Sequence, residues 1–137
     1  MTARTDKPTV FVVDDDEAVR RSLAALIRLF DYSVECYSSA AEFLAAYDRG
    51  RPGCLVLDVR LVGANGIDLH EQLTRDGASI PTIFVTGHAP PPITDEARSR
   101  GVVAAFQKPF RPQHLMEAIR QAMSGDVSCD PSFRVDE

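Results

Sequence analysis

Thr9-Val10-Phe11-Val12-Val13-Asp14-Asp15-Asp16 runs a short apolar stretch straight into three carboxylates. An apolar run with no polar alternation suits a strand covered on both faces, as in a parallel sheet. Two later stretches repeat the arrangement. Leu55-Val56-Leu57 ends in Asp58, and Phe106-Gln107 leads into Lys108-Pro109. In an open parallel sheet the carboxyl ends of the strands form one edge, where ligands bind. The acids and the amine are therefore expected to meet there, as the outline of a phosphate-and-metal site.

Composition narrows the class. The 137 residues, 45% of them hydrophobic, suit one domain with a single two-sided core. Fifteen basic residues against 20 acidic give a formal charge of -5, and the basic residues are scattered among acids, so direct nucleic-acid binding is not expected. Cys36, Cys54 and Cys129 form no C-x-x-C pair and read as ordinary residues in a reducing compartment. Met1 to Pro8 is polar, and no segment approaches the roughly 20 apolar residues of a membrane span, so a cytoplasmic location without membrane contact is expected.

Strand-like and helix-like segments alternate throughout, the pattern of repeated βα units. The strands are predicted at Thr9 to Val13, Ser33 to Tyr37, Cys54 to Asp58, Thr82 to Val85 and Val103 to Gln107. Asp16 is placed to cap a first helix with Val19, Leu23, Leu26, Ile27 and Phe30 on one face. Ser39 and Glu42 form a capping box that opens a second helix through Tyr47. A third turns Leu69 and Leu73 inward and ends near Gly77. The last has Pro112 in its first turn and buries Leu115, Ala118, Ile119 and Ala122. Between them, Ile93 to Arg100 has only Ile93 and Ala97 to bury after Pro90-Pro91-Pro92, which predicts a short, weakly anchored fourth helix. Residues 1–8 read as a flexible N-terminus, 9–124 as the folded domain, and 125–137 as a flexible tail or linker stub.

The chemistry follows from the charges. Asp14 and Asp15 would repel one another and Asp58 unless a cation sat between them, and an all-oxygen site suits Mg²⁺, with Mn²⁺ as a substitute. Asp58 is the candidate nucleophile, since a carboxylate can attack phosphorus when cations screen the approaching negative charge. Lys108 supplies a point charge able to pair with a carboxylate in the empty site and a phosphoryl oxygen in the full one. Thr86 offers a hydroxyl at the end of Ile83-Phe84-Val85. His70, His88 and His114 have no mutual ligand spacing, although His88 would lie close enough to Thr86 to tune access of water.

Val-Val-Asp-Asp-Asp-Glu, Leu-Asp-Val-Arg-Leu, Val-Thr-Gly-His and Gln-Lys-Pro-Phe, in that order and spacing from about Thr9 to Met123, resemble the receiver domain of two-component response regulators, most of all its FixJ-type subgroup. The resemblance implies a flavodoxin-like α/β fold: a doubly wound five-stranded parallel sheet of order 2-1-3-4-5 with helices on both faces. It also implies that Asp58 is the phosphoacceptor, that Asp15 and Asp58 bind the metal directly, and that Asp14 does so largely through water. The backbone carbonyl of Arg60 is a further ligand, Thr86 and Lys108 sense the phosphoryl group, and the Lys108-Pro109 bond is cis. The implied partners are a sensor histidine kinase or histidine phosphotransfer protein and an output partner that the residues do not name. The implied chemistry is self-phosphorylation and self-dephosphorylation only, not enzymatic turnover of a separate substrate.

Three positions depart from the family pattern. Ala105 stands where an aromatic is usual, with Phe106 on the other face of the strand; Val62 replaces a common proline; and the fourth helix is polar and follows prolines. The last bears on homodimerisation through the fourth helix, fifth strand and fifth helix, a surface many receivers use. Two alternatives stand beside the phosphoacceptor reading. One is a receiver-like interaction module working without phosphorylation. The other is a haloacid-dehalogenase-like phosphohydrolase, suggested by Val10 to Ala18 but lacking the expected residue at Ala18 and any cap.

Overall fold

The computed structural model describes residues 8–61, 63–88 and 93–124. The expectations for residues 1–7, Val62, Pro90 to Pro92 and the tail from Gly125 lie outside them. Five long strands, β1 (Thr9–Val13), β2 (Ser33–Tyr37), β3 (Gly53–Asp58), β6 (Thr82–Thr86) and β7 (Val102–Gln107), form one parallel sheet of order β2-β1-β3-β6-β7. Counted without two short strands, this is the expected order 2-1-3-4-5. The short strands, β4 (Arg60–Leu61) and β5 (Ala64–Asn65), make a separate antiparallel pair between β3 and α3 (Gly66–Arg75), and nothing in the sequence pattern announces them. Each is two residues long, too short for periodicity to register.

The helices begin where the chain supplies caps. Asp16 accepts hydrogen bonds from the Ala18 and Val19 N–H groups at the start of α1 (Glu17–Leu29). Ser39 accepts from Glu42 N–H at the start of α2 (Ala40–Ala46), while the Glu42 carboxylate reaches back to Ser38 N–H, one residue before the cap. Asn65 caps α3 through Ile67 N–H. Helix α5 (Pro112–Ser124) opens on its proline, whose missing N–H costs a first turn nothing.

Alternate side chains of the buried strands divide the interior in two. On one side Val10, Val12, Val56, Ile83, Val85 and Phe106 meet Leu23 and Ile27 of α1 and Leu115 and Ile119 of α5. On the other, Phe11, Leu55, Leu57, Phe84 and Ala105 meet Phe43 of α2 and Leu69 and Leu73 of α3. Ala105 and Phe106 thus face opposite layers, as strand alternation requires. Burying one such leucine or phenylalanine contributes about 1.5–3 kcal/mol, which is what holds the strand ends, and the acids on them, in place.

Phe30 departs from expectation. Helix α1 stops at Leu29, Phe30 is its C-terminal cap, and the chain turns through Asp31 at φ 68°. The phenylalanine therefore leaves the helical face on which it was placed and stands 53% exposed beside Leu29 at 79%. The fourth helix is as short as expected. Helix α4 (Asp95–Ser99) has no fully buried residue, and among the described residues of this stretch only Ile93 and Ala97 rest on the core beneath it.

Candidate functional site

The carboxyl ends of β1, β3 and β7 bring Asp14, Asp58 and Lys108 together. Asp14 is held on every side. Its N–H donates to the Tyr37 carbonyl of β2 at 3.1 Å, and its carbonyl accepts from Arg20 Nη1 at 2.7 Å. Its Oδ1 accepts from Asp16 N–H at 2.9 Å and its Oδ2 from Lys108 Nζ at 2.9 Å. Asp58 is fixed in the same manner: Oδ1 accepts from Arg60 N–H at 3.0 Å and Oδ2 from Lys108 Nζ at 3.2 Å. The ammonium therefore bridges two carboxylates that are 1% and 6% exposed. Asp15 is exposed at the rim, and ligand oxygens of Asp14, Asp15 and Asp58 lie within 4.8 Å of one another.

The neighbouring backbone keeps this arrangement in register. The Lys108 N–H donates to the Thr86 carbonyl at 2.7 Å, so the lysine and the end of β6 move together. The Lys108-Pro109 bond is cis, as the resemblance implies. Thr86 is buried, and its Oγ1 accepts from His88 N–H at 3.1 Å. His88 itself is exposed. Just beyond Asp58, Val59 N–H donates to the Val85 carbonyl, and the Val59 carbonyl accepts from Gly66 N–H at 2.7 Å.

Two residues of this frame escape sequence reasoning. Arg20 shows no motif, yet from six residues along the chain it secures the backbone of Asp14. Gly66 reads as an ordinary turn glycine, but a Cβ there would stand 2.3 Å from the Asp58 carbonyl oxygen. Its signal is steric and appears only once the chain has folded back on itself.

The charges oppose burial. Desolvation raises the Asp58 carboxyl above its usual range, and the Asp14 charge adds to this; the Arg60 N–H and the Lys108 ammonium pull in the other direction. Burial likewise disfavours the ammonium of Lys108. The hydrogen bonds and attraction from Asp14 and Asp58 outweigh it, and the lysine is raised and stays charged. A pocket of hard oxygen donors with one fixed ammonium attracts a small divalent cation and a phosphate oxygen at once. The donor set therefore fits Mg²⁺ by its chemistry.

Comparison with known proteins agrees with the motifs. A family model described as the response regulator receiver domain matches residues 10–120. The response regulator protein TodT of Pseudomonas putida is 44% identical over 114 residues, 83% of this chain and 50% of TodT. The transcriptional regulatory protein FixJ of Rhizobium meliloti is 39% identical over 122 residues, 89% of this chain and 60% of FixJ. The chain thus spans about half the length of the curated relatives it matches. Among solved structures, the response regulator StyR superposes with a TM-score of 0.81 at 43% identity, over 88% of this chain and 61% of that one. The crystal structure titled FixJ-N gives 0.75 at 37% identity, over 86% and 94%. Fold, motif order and relatives agree that the chain belongs to the response regulator receiver family of two-component signalling.

Proposed function

We propose that Asp58 accepts a phosphoryl group from the phosphohistidine of a sensor histidine kinase or a histidine phosphotransfer protein. The observation that carries this reading is the bridging of Asp14 and Asp58 by Lys108 within a cluster of three carboxylates. In the transfer a carboxylate oxygen of Asp58 forms a bond to phosphorus as the P–N bond breaks, and the electron pair leaves with the donor's imidazole. Asp14, Asp15, Asp58 and the backbone carbonyl of Arg60 would hold Mg²⁺, which supplies charge neutralisation to the incoming phosphoryl oxygens. Lys108 exchanges part of its contact with the carboxylates for a phosphoryl oxygen, and Thr86 turns its hydroxyl toward another. Because Lys108 and Thr86 share a backbone hydrogen bond, the two responses are linked, and the charged state shifts a pre-existing equilibrium of the α4 side.

The test is uptake of label from a small phosphodonor or a phosphorylated kinase with Mg²⁺ present. Asp58→Asn protein should take up none, and chelation should stop uptake by the unaltered chain; labelling of the asparagine protein at the normal level would refute the assignment. An unaltered chain that takes up no label would favour a receiver that binds partners without phosphorylation, the reading that Ala105 motivates. Family membership removes the basis for the phosphohydrolase alternative.

A further inference from the structure

His70 lies on the inner face of α3, away from the acidic pocket, and is 5% exposed. Its Nε2 stands 3.0 Å from the carbonyl oxygen of Arg100, the residue that caps the C-terminus of α4. A carbonyl can only accept, so Nε2 carries the proton and the bond runs from α3 to α4. The imidazole also sits edge-on to the ring of Phe84, centroids 5.8 Å apart. Burial lowers its pKa, against which the Arg100 carbonyl works, and the ring is neutral at ordinary pH. Among the described residues, the charged groups that act on it are the Arg100 side chain and Glu71 on its own helix.

The need for such a fastening is plain in the packing. Helix α4 buries no residue completely, and beneath it lies a cavity of about 90 Å³ lined by Ile67, His70, Phe84, Ile93, Ala97 and Val102, among others. With Ala97 as its one apolar residue, α4 has little of the apolar contact that fastens the other helices. Phe84 and Thr86 are two residues apart on β6, so their side chains leave the same face of the sheet. A line of direct contacts therefore runs from the strand of Thr86 through Phe84 and His70 to the end of α4.

We infer that His70 is a positioning residue for signalling: it anchors α4 through the Arg100 carbonyl and passes rearrangement of β6 to that helix through Phe84. The anchor stands by itself, whereas its trigger rests on the phosphoacceptor reading. Amide hydrogen exchange by NMR tests the anchor in His70→Phe and His70→Gln proteins, the second keeping an N–H donor. In His70→Phe the amides of Arg98, Arg100 and Gly101 should exchange about fivefold to tenfold faster, the worth of one hydrogen bond, with β1 and β3 amides unchanged. His70→Gln should recover most of that protection. Adding Mg²⁺ with beryllofluoride, a phosphoryl mimic, should shift amides from Val59 to α4 in the unaltered chain and stop short of α4 in His70→Phe. Unchanged α4 exchange in His70→Phe overturns the anchor. Full propagation to α4 in that protein overturns the relay. No shift at Val59 in any protein would count against the phosphoacceptor reading, with the exchange result still deciding the anchor.

Discussion

At the carboxyl end of β3, Asp58 is held by a backbone amide, a bridging ammonium and a strand that is buried along nearly its whole length. Across the same sheet edge, α4 is five residues long, buries none of them completely, and rests over a cavity. Under the proposed phosphoacceptor reading the two regions face different demands. A phosphoryl site needs its charges fixed before the reaction, because reorganisation at that moment is what slows it. A signalling flank must change conformation at small cost, and such segments come from the weakly held end of a structure. The receiver keeps both in one domain by giving the first the buried strands and the second a polar helix.

Substitutions on the two sides should therefore differ in size and in reach. Leu55→Ala, fully buried beneath the pocket in β3, should cost about 2–5 kcal/mol in urea unfolding and should loosen the whole sheet. A loss below about 1 kcal/mol would show that the rigid half is not rigid. Gly66→Ala comes next. The displaced Asp58 carbonyl should cost about 1–3 kcal/mol and weaken the proposed Mg²⁺ binding, read by titration of tyrosine fluorescence or by Mn²⁺ competition; unaltered affinity would separate Gly66 from the site.

On the other side, Thr94→Ala removes the hydroxyl that accepts the Ala97 N–H at the start of α4. The helix should lose about 1 kcal/mol locally, visible in its amide exchange, while the global unfolding midpoint scarcely moves. An equal fall in global stability would mean that α4 unfolds with the core. The smallest effect concerns pH. The folded state lowers the pKa of His70 from 6.5, so the unfolded chain binds the extra proton first as the pH falls through that value. Stability from the neutral imidazole is complete above about pH 6.5 and lost below it. Melting temperature should decline from pH 7.5 to 5, less steeply in His70→Gln, and parallel slopes in the two proteins would sink the assignment.

Most of the scaffold was legible because it rests on local regularities. Apolar runs marked four of the five long strands to within a residue or so, while β2 carries Glu35 within it and was placed from its alternation with the helices; the side chains of Asp16 and Ser39 marked two helix starts where the caps are found. Lys108 and the acids were legible as a set because each follows such a run, and strand ends in a parallel sheet share an edge. Phe30 was misplaced since helical spacing says nothing about where the helix stops. Gly66, Arg20 and His70 were not legible as frame residues. Their parts depend on groups distant in the chain or on backbone atoms, which no spacing rule reports.

Composition and pattern by themselves determined the alternating α/β architecture, the family and the residues that carry charge at the pocket, because burial periodicity and motif spacing are properties of neighbours along the chain. Only the tertiary structure decided that one ammonium bridges two buried carboxylates, that a missing Cβ makes room for the Asp58 carbonyl, and that α4 hangs from a histidine on α3. Those contacts join residues from 8 to 94 positions apart, and the distances that give them their energy do not exist until the sheet has closed.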